Sequence, residues 1–120
     1  MRRIVSSGSV KAIYIDKKET MEQLHKVARD ALREFPEIEE IRLFGSLARN
    51  EETGLSDIDI LIIAQTNIEN PIERVKPYFF YFSEMLPIAL DLIVATREEQ
   101  ETVKEIIGES IILAKRPQSC

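Results

Sequence analysis

Residues 43–61 read LFGSLARNEETGLSDIDIL, and this stretch decides the fold class of the chain. An apolar run ends at Gly45 and Ser46, which predicts a strand, a tight turn and then a short helix over residues 47–50. After a second turn, the continuous apolar run of residues 58–63 predicts a buried strand. Two strands therefore flank a glycine-serine turn.

Helix-like and strand-like segments alternate in the rest of the chain. Apolar spacing and capping residues predict three longer helices. They cover residues 18–35, 71–85 and 96–107, with Asn70 as N-cap of the second and Gly108 ending the third. Pro77 predicts that the second of these helices bends or begins there. Further strands are predicted over residues 38–44 and 88–95, and at a sheet edge over 10–15, whereas residues 111–114 are predicted as a short extended segment. This order predicts an α/β (α+β) fold, a small mixed β-sheet packed by helices.

The 120 residues predict one domain over residues 1–120, with its core over about 18–114. Residues 1–8 and 116–120 are predicted to be loose termini. The net charge is −5, made up of +2 over the first fifty residues and −7 over the rest. Because duplex nucleic acid attracts basic surfaces, we expect no duplex nucleic acid partner.

Hydrophobic residues make up 44% of the chain and charged residues 31%, which is typical of a folded globular protein. The lone cysteine, Cys120, cannot form a disulfide within the chain, which favours a reducing compartment. No apolar run is long enough to span a bilayer. We therefore expect a cytoplasmic protein without a membrane segment.

Three carboxylates occupy strand positions that are usually apolar. Asp57 and Asp59 lie on one face of their strand because side chains alternate with period two. Asp91 lies in an apolar run, where a buried carboxylate is costly without a cation or hydrogen bonds. If the two strands are neighbours, the three acids converge, and hard oxygen ligands suit Mg²⁺ or Mn²⁺. The alternative is that these acids cap turns or pair with lysines.

The turn at Gly45 and Ser46 has the chemistry of a phosphate site. A glycine lets the backbone approach a ligand, the amides of a strand-to-helix turn suit an anion, and the Ser46 hydroxyl adds a donor. A Gly-Ser pair alone is more often an ordinary turn. The order of this turn, an Asp-X-Asp strand and a later strand with a single Asp strengthens each signal.

This ordered set resembles the DNA polymerase β-like nucleotidyltransferase superfamily, whose motif is GSxAR followed by SDID. The resemblance covers roughly residues 21–113 and implies the polymerase β-like nucleotidyltransferase fold. At this length the chain is similar to the minimal nucleotidyltransferase (MNT) branch. Members of that branch lack a helical substrate domain and often pair with a separate HEPN protein as toxin and antitoxin.

The resemblance implies in-line attack on the α-phosphorus of a nucleoside triphosphate, with ATP expected, and loss of pyrophosphate. It implies that Asp57, Asp59 and Asp91 are catalytic and ligate two Mg²⁺ ions, with Mn²⁺ as an alternative. Asp91 would also orient or deprotonate the attacking hydroxyl. The implied nucleotide-binding residues are Gly45, Ser46, Arg49 and Ser56. Asn50 departs from the glycine of many relatives but tolerates a left-handed backbone.

Two further features fall outside this motif. The only histidine, His25, lies on the polar side of a predicted helix, and we expect it to be solvated and without a catalytic role. Residues 78–82 read YFFYF, and five consecutive rings cannot all face one side of a helix. We therefore expect one or two exposed rings, which favours a partner surface over a base-stacking platform.

Two function classes follow. The first is a nucleotidyltransferase that moves AMP from ATP to a hydroxyl on a protein or other acceptor, the antitoxin of a HEPN/MNT pair. The second is a non-catalytic binding module that neutralises a HEPN-type ribonuclease by occlusion. The complete set of three acids favours the enzyme. The expected partners are a nucleoside triphosphate and a HEPN-domain protein, and the sequence leaves homo-oligomer formation open.

Overall fold

A computed structural model describes residues 2–7, 10–15, 17–48, 58–86 and 89–117. Its elements, in chain order, are β1 (Arg2–Ser7), β2 (Val10–Ile15), α1 (Lys17–Glu34), β3 (Ile38–Phe44), α2 (Gly45–Ala48), β4 (Ile58–Ala64), α3 (Pro71–Met85), β5 (Leu90–Ala95), α4 (Gln100–Ile107) and β6 (Ser110–Lys115). The predicted α/β class is confirmed.

The main sheet has four strands in the order β5-β4-β3-β6. Strands β4 and β5 are parallel, whereas β3 is antiparallel to both of its neighbours. The sheet is therefore mixed, as the sequence predicted. Residues 111–114, predicted only as a short extended segment, belong to the edge strand β6.

Strands β1 and β2 form a separate antiparallel sheet of two strands. The prediction of a loose terminus over residues 1–8 was wrong for Arg2–Ser7, because these residues pair with Val10–Ile15 along their whole length. The prediction that residues 10–15 form a strand at a sheet edge is confirmed, because both strands of a two-stranded sheet are edge strands. Propensity identified the second strand, but its partner depends on pairing that local sequence does not encode.

The two faces of the main sheet are covered by different helices. Ile58, Ile60 and Ile62 of β4 pack in a core with residues of α1 and α3. Leu61 and Ile63 point to the opposite face, where they pack with half-buried side chains of α4. Because β4 contributes to both cores, it reads as a continuous apolar run rather than an alternating one.

The helix boundaries follow the capping residues only in part. The Asn70 side chain accepts hydrogen bonds from the backbone N–H groups of Ile72 (2.9 Å) and Glu73 (3.3 Å), so α3 begins at Pro71 and continues through Pro77. Glu99 accepts from the Thr96 N–H at 2.9 Å, as a capping box requires. Residues 97–99 nevertheless form a turn, and α4 begins only at Gln100.

Two other predicted boundaries can be compared with the structure. The short helix predicted over residues 47–50 begins two residues earlier, at Gly45. The predicted stop at Gly108 is confirmed, since this residue caps α4 with a positive φ of 73°.

The aromatic run on α3 divides between the core and the surface. Tyr78 and Phe82 are buried, whereas Phe79 and Phe80 are 39% and 65% exposed. The Tyr78 hydroxyl donates to the Glu37 carboxylate at 2.8 Å. Burial and this carboxylate raise the pKa of Tyr78, so its hydroxyl stays protonated. The prediction that one or two rings are exposed is confirmed.

His25 does not behave as the sequence predicted. It is half-buried, and its Nδ1 lies 3.0 Å from the carbonyl oxygen of Leu113 in β6. Helix α1 packs against β6, so a residue on the polar edge of the helix reaches a strand that the sequence defined poorly. The expectation of a solvated histidine was therefore wrong. In the described parts of the chain, every helix is too short or too polar to cross a membrane.

Candidate active site

Two of the three predicted carboxylates lie side by side. Asp59 of β4 pairs in register with Asp91 of β5, and the strands are parallel neighbours. Residues paired in this way point to the same face of the sheet, about 4.8 Å apart along the hydrogen-bonding direction. The sequence predicted that the three acids converge if their strands are neighbours. This convergence is present for Asp59 and Asp91.

The glycine-serine turn lies beside the same carboxylates. Phe44, the last residue of β3, pairs with Asp59 on the other side of β4, and Gly45 follows it directly. Gly45 has a φ of +79°, which L side chains rarely adopt. A Cβ at this position would also collide with the Asp59 carboxylate, with the Asp59 Cγ 3.0 Å away. The glycine is therefore required both for the turn and for the close approach to Asp59.

Asp91 is more accessible than its sequence context suggested. The run around it is apolar, which predicted a buried carboxylate, but Asp91 is exposed while Asp59 is half-buried. Strand β5 is an edge strand, and α4 does not cover this part of the face. The expectation of burial was wrong, because a single sequence does not reveal which apolar strand lies at an edge. The shared register with Asp59, rather than the cost of burial, now supports a cation site.

Several predicted site residues lie outside the described residues. These are Asp57, Arg49 and Ser56. Ser46 lies in α2, directly after Gly45. Within the described ranges, no group of three potential metal ligands is present. The roles of Asp57, Arg49, Ser46 and Ser56 therefore stay predictions, and the structure brings together Gly45, Asp59 and Asp91.

The opposite end of the sheet carries acidic residues of a different kind. A cavity of about 590 Å³ there is lined by Glu37, Glu39, Glu40, Arg97, Lys104 and Lys115, among others. Each of its carboxylates has a protein partner: Tyr78 for Glu37, Arg97 at 2.9 Å for Glu39, and Arg42 for Glu40. Sequence reasoning did not identify this cluster, because Tyr78 is 41 residues from Glu37 and Arg97 is 58 residues from Glu39 in the sequence.

The comparison with protein families identifies the family of the chain. Residues 22–119 match the family model described as polymerase beta, nucleotidyltransferase. The chain belongs to this nucleotidyltransferase family. The family predicted from the Gly-Ser and Asp-X-Asp motifs is therefore confirmed, and the β1-β2 hairpin precedes the matched residues of this nucleotidyltransferase.

Known relatives agree with that assignment. This chain is 36% identical over 98 residues to a Methanocaldococcus jannaschii protein named "Putative protein adenylyltransferase MJ0126", an alignment spanning 78% of this chain and 96% of the relative. Three other proteins of that organism bear the same kind of name, and the first of them is 38% identical over 85 residues. The relatives thus extend over most of the domain.

Solved structures share the fold. A nucleotidyltransferase crystal structure from Sulfolobus solfataricus superposes with a TM-score of 0.64 at 24% identity, covering 83% of this chain and 84% of that one. A Shewanella oneidensis complex of a tri-AMPylated HEPN toxin with an MNT antitoxin gives a TM-score of 0.50 at 22% identity, covering 83% and 73%. At these identities the likeness concerns the fold of the nucleotidyltransferase.

Proposed function

We propose that this chain is a Mg²⁺-dependent nucleotidyltransferase that transfers AMP from ATP to a hydroxyl group of a protein. The observation that carries the proposal is the pairing of Asp59 with Asp91 beside the positive-φ Gly45. The family supports nucleotidyl transfer, and the names of the relatives support an adenylyl group and a protein acceptor.

The carboxylates fit a divalent cation by their chemistry. Asp59 and Asp91 present hard oxygen donors on one face of the sheet, and Asp57 is expected to point to that face too. A cation pair bound there would stabilise negative charge on the attacking and leaving oxygens. We assign these three residues as the ligands of two Mg²⁺ ions, with Mn²⁺ as a substitute.

The nucleotide is proposed to lie between the turn and the acid pair. Gly45 lets the turn pass directly against the Asp59 carboxylate, and Ser46, Arg49 and Ser56 are proposed to contact the phosphates. In the reaction, the acceptor oxygen bonds to the α-phosphorus while the bond from that phosphorus to the bridging oxygen breaks. Pyrophosphate leaves with the electron pair, and Asp91 is proposed to orient the hydroxyl and accept its proton.

The acceptor is proposed to be a HEPN-domain protein. The Shewanella antitoxin with the same fold forms a complex with an AMPylated HEPN toxin. The present chain also exposes Phe79 and Phe80 on α3, and exposed aromatic side chains are typical of protein interfaces. The second candidate, a module that neutralises the toxin by binding alone, would use the same aromatic surface without the acids.

A reconstituted complex separates the two candidates. The protein is mixed with a HEPN-domain protein from a neighbouring reading frame, Mg²⁺ and ATP labelled at the α-phosphate. We expect label on the HEPN protein with the wild type and none with Asp57→Asn or Asp59→Asn, while complex formation persists. Transfer at the wild-type rate by Asp59→Asn would refute the catalytic assignment, and binding without transfer by the wild type would support the binding module.

The same complex tests the aromatic surface. Phe80→Ala is expected to weaken binding of the HEPN protein about thirtyfold, which corresponds to ~2 kcal/mol. Ile106→Ala is the matched control, since Ile106 is 78% exposed on α4. Isothermal titration calorimetry measures both affinities. Equal affinities of wild type and Phe80→Ala would place the docking surface elsewhere, and nucleotide binding is expected to be unchanged in both variants.

A further inference from the structure

Strand β5 leaves one side of its backbone without a partner in the described parts of the chain. It is the first strand in the order β5-β4-β3-β6, so only its inner side pairs. The Ile58 N–H donates to the Ala89 carbonyl oxygen at 3.0 Å, so the main-chain carbonyl group of Ala89 points toward β4. Since alternate residues point the same way, the main-chain groups of Leu90 and Leu92 point to the outer side.

The two edges of the main sheet differ in regularity. On β6, the register with β3 shifts between Ile41 and Arg42, an irregularity of the kind that protects sheet edges. On β5, all six residues from Leu90 to Ala95 pair with β4 without a shift. This strand also contains no lysine and no proline. Strand β5 therefore has the features of an edge that accepts another strand.

The accessible part of β5 coincides with the acid pair. Asp91 is exposed and Ile93, two residues further on the same face, is 37% exposed. Val94 and Ala95, at the far end of the strand, are buried. A polypeptide added along this edge would therefore meet the carboxylate first and an apolar side chain beside it.

We propose that the acceptor binds as an extended strand along the outer side of β5, with its hydroxyl-bearing residue opposite Asp91. This inference rests on the proposed adenylyl transfer. Neighbouring strands lie about 4.8 Å apart, and paired residues point to the same face. A Ser, Thr or Tyr opposite Asp91 therefore points to the face that carries Asp59 and Asp91. A residue two positions away contacts Ile93, which favours an apolar side chain there.

Synthetic peptides test the proposal without a natural acceptor. The first probe is a nine-residue peptide of alternating Val and Lys with a central Tyr as its only hydroxyl side chain, in which Val favours an extended conformation. The second is an Ala- and Lys-rich peptide with the same central Tyr, which favours a helix. With Mg²⁺ and α-labelled ATP, we expect label on the extended peptide at least about tenfold above the helical one.

Methylation of single peptide amides tests the main-chain contacts. A strand pairs through every second residue, so a methyl group on a pairing amide should lower kcat/KM about tenfold. A methyl group on the next amide should have little effect. In an antiparallel complex the sensitive amides flank the Tyr, whereas in a parallel complex the Tyr amide itself is sensitive. Alternation in either phase supports strand addition, and equal effects at all positions overturn it.

A pair of protein variants adds a control from the opposite edge. Ile93→Gln is expected to raise the KM for the extended peptide several-fold, whereas Ile112→Gln on β6, where Ile112 is 43% exposed, should leave it unchanged. Binding of Mg²⁺ and ATP is measured in the same samples. Nucleotide binding without label on any peptide, or equal label on both peptides, overturns strand addition. If the wild type bound no ATP in the presence of Mg²⁺, that result would instead contradict the proposed function.

Discussion

The two ends of the four-stranded sheet differ in the neighbours of their acidic side chains. At the end near Glu39 and Glu40, which we call the paired end, these two carboxylates have cationic partners: Arg97 for Glu39, and Arg42 and Lys104 for Glu40. At the end near Gly45, the proposed site of catalysis and hereafter the catalytic end, Asp59 and Asp91 lie beside each other. No described residue forms a hydrogen bond or ion pair with Asp91.

This difference indicates what each end contributes. Charges that are already matched within the protein contribute to the fold, and the ion pair of Lys104 with Glu40 joins α4 to β3. Adjacent like charges repel each other, so two carboxylates in register favour a function that needs a cation. Substitutions at the paired end should therefore change stability, and substitutions at the catalytic end should change nucleotide transfer.

The largest expected effect of a single methyl group is at Gly45. Gly45→Ala places a Cβ against the Asp59 carboxylate at a positive φ, so we expect a loss of at least ~2 kcal/mol in stability. Displacement of Asp59 should also lower transfer on the order of a hundredfold. Gly108→Ala is the control, because Gly108 has a φ of +73° but no atom near the added Cβ.

Thermal unfolding and label transfer distinguish the two glycines. Gly108→Ala is expected to lose about 1 kcal/mol through backbone strain alone, with transfer unchanged. If both variants transferred AMP at the wild-type rate, the close approach of Gly45 to Asp59 would have no role in the reaction.

A smaller effect, confined to stability, is expected at the paired end. The Arg116 guanidinium donates to the carbonyl oxygens of Ile38 (3.0 Å) and Phe35 (3.3 Å), and so binds the end of α1 to β3. Arg116→Ala should lower the free energy of unfolding in urea by about 2 kcal/mol. The exposed Lys115 is the control, and Lys115→Ala should change little. A strong loss of transfer by folded Arg116→Ala would contradict the claim that the paired end affects stability and not nucleotide transfer.

The smallest predicted effect is a pH dependence at Glu99. Hydrogen bonds from the Thr96 backbone and the Arg74 side chain lower the pKa of Glu99 from its ordinary value of 4.5. A lowered pKa stabilises the fold above the ordinary value, and this contribution is lost as the pH falls through the lowered value. Because Glu99 is largely exposed, Glu99→Gln should cost only about 0.5 kcal/mol at pH 7.

Urea unfolding at two pH values measures the Glu99 contribution. The difference between wild type and Glu99→Gln should be present at pH 7 and vanish in acid. A difference that persists unchanged below the lowered pKa would show that the side chain contributes without its charge.

The sequence predicted the parts of the fold that depend on local patterns. Apolar spacing located α1 to within one residue at each end, and Asn70 and Gly108 marked true helix ends. The pairing of strands that are distant in sequence could not be predicted from local patterns. The partner of β2 and the edge position of Asp91 depend on which strands come together, and alternation of residues carries no such information.

The candidate site was predictable to a similar extent. The motif identified Gly45, Asp59 and Asp91, and the structure brings these three residues together. The accessibility of Asp91 was not predictable, because apolar neighbours in sequence do not show whether a face is covered. The ion pairs of Glu39 with Arg97 and of Glu40 with Lys104 were missed, since these partners are distant in sequence.

Calorimetric titration with ATP in the presence of Mg²⁺ tests the central claim most directly. Asp59→Asn and Asp91→Asn remove one charge each from the catalytic end, and Glu39→Gln removes one from the paired end. We expect affinity to fall at least about tenfold in both aspartate variants and to stay at the wild-type value in folded Glu39→Gln. Equal affinity in wild type, Asp59→Asn and Asp91→Asn would contradict the account, because the nucleotide and its cation would then bind elsewhere.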